Sequence, residues 1–192
     1  HFIHPDRVMA GMIKIIVIPK FQYNENFYLP KLDYYELKAI KVYIEKIVSP
    51  FAKVEVINTT FEKVKITGQI KVTDKSGPGE FMKRLQRDLR SFICPWFASR
   101  QVEMNLGGSI ERDDIMTFME SLDYVTYITK FSIVLIHYEK GKYNISDSAS
   151  KQGTNNILQS TSPWSVLIPS DEHDIELIEQ KKGVLPEETK IN

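Results

Sequence analysis

The run from Phe61 to Thr73 constrains this chain more than any other segment. Val64, Ile66, Ile70 and Val72 fall on one parity, while Lys63, Lys65, Thr67, Gln69, Lys71 and Thr73 fall on the other. A two-residue period over that length is the signature of a β-strand with one apolar and one wet face, typical of antiparallel pairing. Gly68 interrupts the run and marks a bulge or a close backbone approach. A chain holding such a strand must supply a strand to pair with it and a cover for its apolar face.

The rest of the sequence offers them. Met12 to Pro19 is β-branched, of strand length and stopped by proline, so it reads as a buried strand. From Lys31 to Val48, Leu37, Ile40, Ile44, Ile47 and Val48 recur at helical steps, with Asp33 placed to cap and Ser49-Pro50 to stop. Lys53 to Ile57 is a short strand, joined to the alternating run by a turn at Asn58-Thr59-Thr60. After the turn residues 74–79, a helix to Ile93 carries Phe81, Leu85, Leu89 and Phe92 on one stripe. Residues 96–111 are less regular, and a short helix runs through Ile115, Phe118 and Met119. A long strand follows, Tyr124 to Tyr138, whose second half is apolar on both parities and calls for a cover on both faces or a partner.

The order β-α-β-β-α, a short helix and β predicts an α+β protein. Its core is a ferredoxin-like split β-α-β fold, with the helices on one sheet face and an extra short helix. Residues 1–139 form this core domain. Residues 140–163, rich in Gly, Ser, Asn and Thr, read as a polar connector. Residues 164–192 read as a C-terminal β-hairpin and acidic tail, with strands 165–168 and 174–178 joined by an acidic turn.

Charge narrows the function. There are 25 Lys and Arg against 25 Asp and Glu, a net of zero, which argues against a general grip on nucleic acid. The sum is uneven, because residues 171–192 hold seven acids and three bases and leave an excess of base in the body. One cysteine excludes a disulfide framework and a multi-cysteine zinc site. No apolar run approaches the roughly 20 residues of a membrane span.

No chemical constellation emerges. His1, His4, His137 and His173 lack ligand spacing, and His137 reads as a satisfied strand residue. Cys94 sits among Phe92, Ile93 and Trp96, so it reads as core and not as a nucleophile. Asp113-Asp114 suit the first turn of a helix, and Asp171-Glu172 suit a strand-joining turn. Gly77-Pro78-Gly79 and Gly107-Gly108 match neither phosphate-binding fingerprint. The expectation is no catalytic residue, no metal, no cofactor, no small-molecule substrate and no enzyme. The most basic feature is the helix face Lys83, Arg84, Arg87 and Arg90.

The order of these tokens carries a resemblance. Gly11 and a strand ending in Pro19 are followed by Val54-Glu-Val56, the alternating strand, Phe92-Ile-Cys-Pro95, Leu106-Gly-Gly-Ser-Ile110 and Tyr124-Val125. The chain in this respect resembles the C-terminal region of baseplate J-like proteins, wedge components of contractile phage tails and related injection systems. It departs from that pattern in carrying Leu122-Asp-Tyr-Val125 before the last long strand. The resemblance implies a structural subunit that acts by protein–protein assembly. Its partners would be other baseplate wedge proteins, copies of itself or a J-like paralogue. It would reside in the cytoplasm during assembly and then within a phage tail or phage-tail-like particle. Candidate partner contacts are Lys83, Arg84, Arg87 and Arg90 on the basic helix, Phe131, Ile133 and Leu135 on the apolar strand, and Val166, Ile168, Ile175 and Leu177 on the terminal strands. The alternative reading is a nucleic-acid-binding module, using the basic helix or the Lys63, Lys65 and Lys71 strand face.

Overall fold

The computed structural model describes residues 11–19, 29, 31–73, 77–98, 102–139, 141–148 and 156–178. Along the chain these form β1 (Met12–Val17), α1 (Tyr34–Glu45), β2 (Lys53–Asn58), β3 (Thr60–Val72), α2 (Pro78–Ile93) and α3 (Pro95–Ala98). They continue with β4 (Ser109–Glu111), α4 (Arg112–Glu120), β5 (Val125–Glu139), β6 (Lys142–Asp147), β7 (Ile157–Gln159), β8 (Ser165–Pro169) and β9 (Asp174–Leu177). His1, His4 and the tail beyond residue 178 lie outside the described residues.

The α+β class holds, but the strands do not share one split β-α-β sheet. β1 pairs in parallel with β2 in a sheet of two strands, and β3 enters a separate five-stranded sheet. The cause is local. Only Thr59 separates β2 from β3, whereas the common hairpin connections use two or more loop residues. The chain therefore turns a corner at Thr59 and leaves its first sheet. The corner is pinned by the Thr59 hydroxyl, which donates to the Trp164 carbonyl at 2.6 Å.

α1 is the crossover between β1 and β2 that a parallel pair requires. Asp33 and Glu36 form a reciprocal capping box at its start, at 2.8 and 2.9 Å. The Asn58 side chain at the end of β2 both donates to and accepts from the Leu32 backbone, so the helix entry is tied to the strand. α1 rests on β2, where Val54 and Val56 are buried.

β3 is the central strand of the larger sheet. β5 runs antiparallel along one edge, with β6 beyond it. Along the other edge lie β8 and then β9, end to end and both parallel to β3. The expected terminal hairpin is thus absent: two strands parallel to the same neighbour cannot be antiparallel to each other. β3 is long enough, at 13 residues, to pair with both in succession.

The alternation of β3 sorts its side chains as the sequence predicts. Val64, Ile66 and Ile70 are fully buried beneath Phe81, Leu85 and Leu89 of α2 and Ile115 and Met119 of α4. Each such side chain contributes about 1.5–3 kcal/mol relative to exposure. The register between β3 and β5 slips between Thr67 and Gln69 and again between Lys71 and Val72. At the first slip Lys130 adopts φ +52°, and a Cβ on Gly68 would meet the Thr129 carbonyl at 3.5 Å. The bulge is found there, whereas the neighbouring strand stands at ordinary contact distance and makes no unusually close approach.

Four elements went unread in the sequence: α3, β4, β6 and β7. The last two fall inside residues expected to be a connector, with β6 paired to β5 and β7 to β4.

Candidate interaction surfaces

The acidic segment after β8 straps itself to β3. Ser170 donates its N–H to the Val64 carbonyl at 2.8 Å, and Ile178 does the same to Ile70 at 2.8 Å. In the gap between the two strands, the Ile66 N–H would have no ladder partner. The Nδ1 of His173 accepts from it at 3.2 Å. That bond fixes the neutral ring with its proton on Nε2, an atom that is buried with no hydrogen-bond partner among the described residues. Burial, reinforced by the nearby Lys65 cation, lowers the His173 pKa from 6.5 to about 4, while Asp174 and Asp171 oppose the shift. Lys63 pairs with Asp171, and Lys65 pairs with Asp174 at 2.7 Å. Gln69 donates to Glu176 at 2.8 Å.

These contacts alter one expectation. The cationic strand face proposed for nucleic acid is largely neutralised, since Lys63 and Lys65 hold carboxylates and Lys71 lies over the Tyr127 ring. The acidic turn, in its turn, answers the lysines of β3. Its contact with α2 is a neutral one, from the Gln86 side chain to the Ser170 carbonyl at 2.7 Å.

The basic face of α2 divides into engaged and open cations. Arg84 bonds Asp123 at 2.8 Å and stacks 4.1 Å over the Tyr124 ring, and the Tyr124 hydroxyl donates to Asp88 at 2.6 Å. Burial and the Asp88 hydrogen bond hold the Tyr124 phenol protonated, well above its usual range. Arg90 is half-buried. Lys83 and Arg87 are exposed, and no carboxylate among the described residues pairs with either. Beside this face a cleft of about 390 Å³ opens between α2 and α4. Phe92 and Phe118 stack in its wall with centroids 4.2 Å apart.

The apolar candidates lie elsewhere than at the surface. Phe131, Ile133 and Leu135 are buried in the main core against α2 and α4. Val166 and Ile168 are buried with Cys94 in a second small core that Trp96, Phe97 and Met104 complete. All five side chains are engaged inside the chain: β5 lies between β3 and β6, and β8, although it ends the sheet, is buried at all five positions. Ile175 and Leu177 are half-buried at the margin of the main core. Cys94 is core as expected, and burial pushes its thiol up to about 12. Asp113 and Asp114 occupy the first turn of α4 as read. Among the described residues no group of three or more His, Cys, Asp or Glu is placed to hold a metal, and no helix is long and apolar enough to cross a membrane.

Residues 8–171 match the family described as baseplate protein PVC11-like. The chain belongs to that family. The expected kinship with baseplate proteins of contractile injection systems is therefore met, over most of the chain. Its fold is similar to a chain in the cryo-EM structure of the anti-feeding prophage baseplate, 6-fold symmetrised, with a TM-score of 0.55 and 14% identity. The likeness covers 84% of this chain and 30% of that one, so this sequence spans under a third of its neighbour's length. No curated protein sequence matches it.

Proposed function

We propose that this PVC11-like chain is a structural subunit of a baseplate wedge in a contractile injection system, acting by protein–protein assembly and not by catalysis. It assembles in the cytoplasm and ends in a phage-tail-like particle, where its neighbours are other baseplate proteins. The family match over residues 8–171 carries this reading.

Within it, the outer face of α2 meets an acidic surface on a neighbour. Lys83 and Arg87 are the open cations, and the Phe92–Phe118 cleft beside them supplies apolar area for the same contact. Arg84 is a weaker choice, because Asp123 already satisfies it. The test is the double charge reversal Lys83→Glu with Arg87→Glu, co-expressed with the other particle components. The variant is expected to keep its circular dichroism spectrum and Tm and to drop out of purified baseplates. Normal incorporation would overturn the assignment of this face. Salt-sensitive binding to nucleic acid in a filter assay, abolished by the same variant, would favour the alternative module.

A further inference from the structure

α1 carries apolar residues on both of its sides. Leu37, Ile40 and Ile44 are half-buried on the side that rests on β2. The opposite stripe, which steps from Tyr35 through Ala39 and Val42 to Lys46, is exposed, with Tyr35 at 78%. A surface helix ordinarily keeps that stripe polar. Tyr43 and Ile47, four residues apart and both exposed, flank it and lead to the next turn. There the Ala52 N–H donates to the Ser49 carbonyl at 2.9 Å, closing a β-turn with Pro50 and Phe51 at its centre. Phe51 is 93% exposed, more than any other large apolar side chain among the described residues. The acids of this region are engaged. Asp33 and Glu36 form the capping box, and Glu45 holds Lys41 at 3.7 Å. Lys38 and Lys46 on the helix and Lys53 after the turn are exposed, and no carboxylate among the described residues pairs with them.

We infer that this surface docks on an anionic lipid bilayer, with Ile47 and Phe51 entering the headgroup layer. Its chemistry chooses that occupant. The open charges are all cations, so the partner is anionic. The cations are all lysines, a residue depleted in protein–protein interfaces and collected by anionic bilayer surfaces. The rings on the helix are tyrosines, which sit at headgroup level with the ring in apolar surroundings and the hydroxyl in water. A two-fold contact with a second copy would instead set lysine against lysine. Docking is peripheral, since among the described residues no helix is long and apolar enough to cross a membrane. Salt weakens the share that the lysines contribute and spares that of Phe51 and Ile47. The surface lies on other elements than the proposed α2 contact, so either can fail alone.

Co-sedimentation of the 192-residue chain with vesicles tests the inference. The chain is expected to bind phosphatidylcholine vesicles that contain about 30% phosphatidylserine, to bind pure phosphatidylcholine weakly, and to bind less as salt is raised. Ile47→Ser with Phe51→Ser is expected to keep the circular dichroism spectrum and Tm, because both side chains are exposed. It should weaken binding by about tenfold or more. Lys38→Gln with Lys46→Gln is expected to weaken it by about tenfold. A polarity-sensitive dye on Phe51→Cys is expected to shift to the blue on anionic vesicles; the native Cys94 is buried. Failure to bind anionic vesicles, equal binding to both vesicle types, binding indifferent to both double variants, or a dye that stays as in water would each overturn the inference. So would a wild type that ignores vesicles while the Ile47 and Phe51 variant drops out of purified baseplates, a result that assigns the face to a protein neighbour.

Discussion

Glu62 and Thr161, 99 residues apart, hold β3 to the approach of β8: the carboxylate accepts from the Thr161 N–H at 3.1 Å and from its hydroxyl at 2.5 Å. Glu62 is 0% exposed, on the parity that the apolar residues of β3 occupy. A carboxylate buried there is tolerable because both donors of Thr161 bond it. Thr161→Ala removes one donor and leaves a buried carboxylate under-satisfied. The expected loss is about 1–3 kcal/mol, read as a lower midpoint in urea with an unchanged slope.

His173 gives stability a pH dependence. Its folded pKa, about 4, lies below the unfolded value of 6.5. Between those values the unfolded chain binds the extra proton, so stability rises with pH through the window and its contribution is complete above 6.5. As pH falls from 6.5 towards 4 that contribution drains away, by on the order of 3 kcal/mol. Urea unfolding at pH 7 and pH 5 should show the wild type losing stability more steeply than His173→Gln. Equal slopes would mean that the ring is not held neutral against Ile66.

Ile133 and the α2 cations should separate cleanly. Ile133→Ala, in the main core, is expected to lose about 2–5 kcal/mol, visible as a fall in Tm before any assembly is attempted. The Lys83 and Arg87 charge reversals, on an exposed helix face, are expected to leave Tm within a degree or two. If Ile133→Ala proved neutral in the isolated chain, the placement of β5 inside the core would be wrong.

Two glycines should respond differently to alanine. Gly107 has φ +67°, a conformation that costs an L-residue about 1–2 kcal/mol. Gly68 has ordinary backbone angles, and an added Cβ there meets its neighbours at normal contact distances. Gly107→Ala is expected to destabilise by roughly 1 kcal/mol and Gly68→Ala by much less. Thermal melts of the two variants side by side decide it.

Cys94 should be silent in the native state. Burial favours the neutral thiol, and the Sγ faces the Leu167 carbonyl at 3.8 Å. A thiol reagent at pH 8 is expected to label it only as fast as the chain opens, and fully in denaturant. Rapid native labelling would contradict its place in the second core.

What the sequence determined by itself is what local physics sets. The two-residue period fixed β3 and its buried side; the stripe of Phe81, Leu85 and Leu89 fixed α2; Asp33 with Glu36 fixed the start of α1. Each follows from side-chain spacing or from a cap within one turn of its own backbone. Only the tertiary structure decided which strands would meet. One residue lies between β2 and β3, fewer than common hairpins use, and β3 enters another sheet, where its 13 residues pair with both β8 and β9 along one edge. Both outcomes depend on pairings between residues about 100 positions apart, as Thr60 with Ser165 or Thr67 with Asp174. The same long-range choice buried Phe131, Ile133, Leu135, Val166 and Ile168 and left β6, with no apolar run of its own, at an edge. Pairing energy is collected across the fold, so a strand's own residues cannot announce whether it will stand at the centre or the rim.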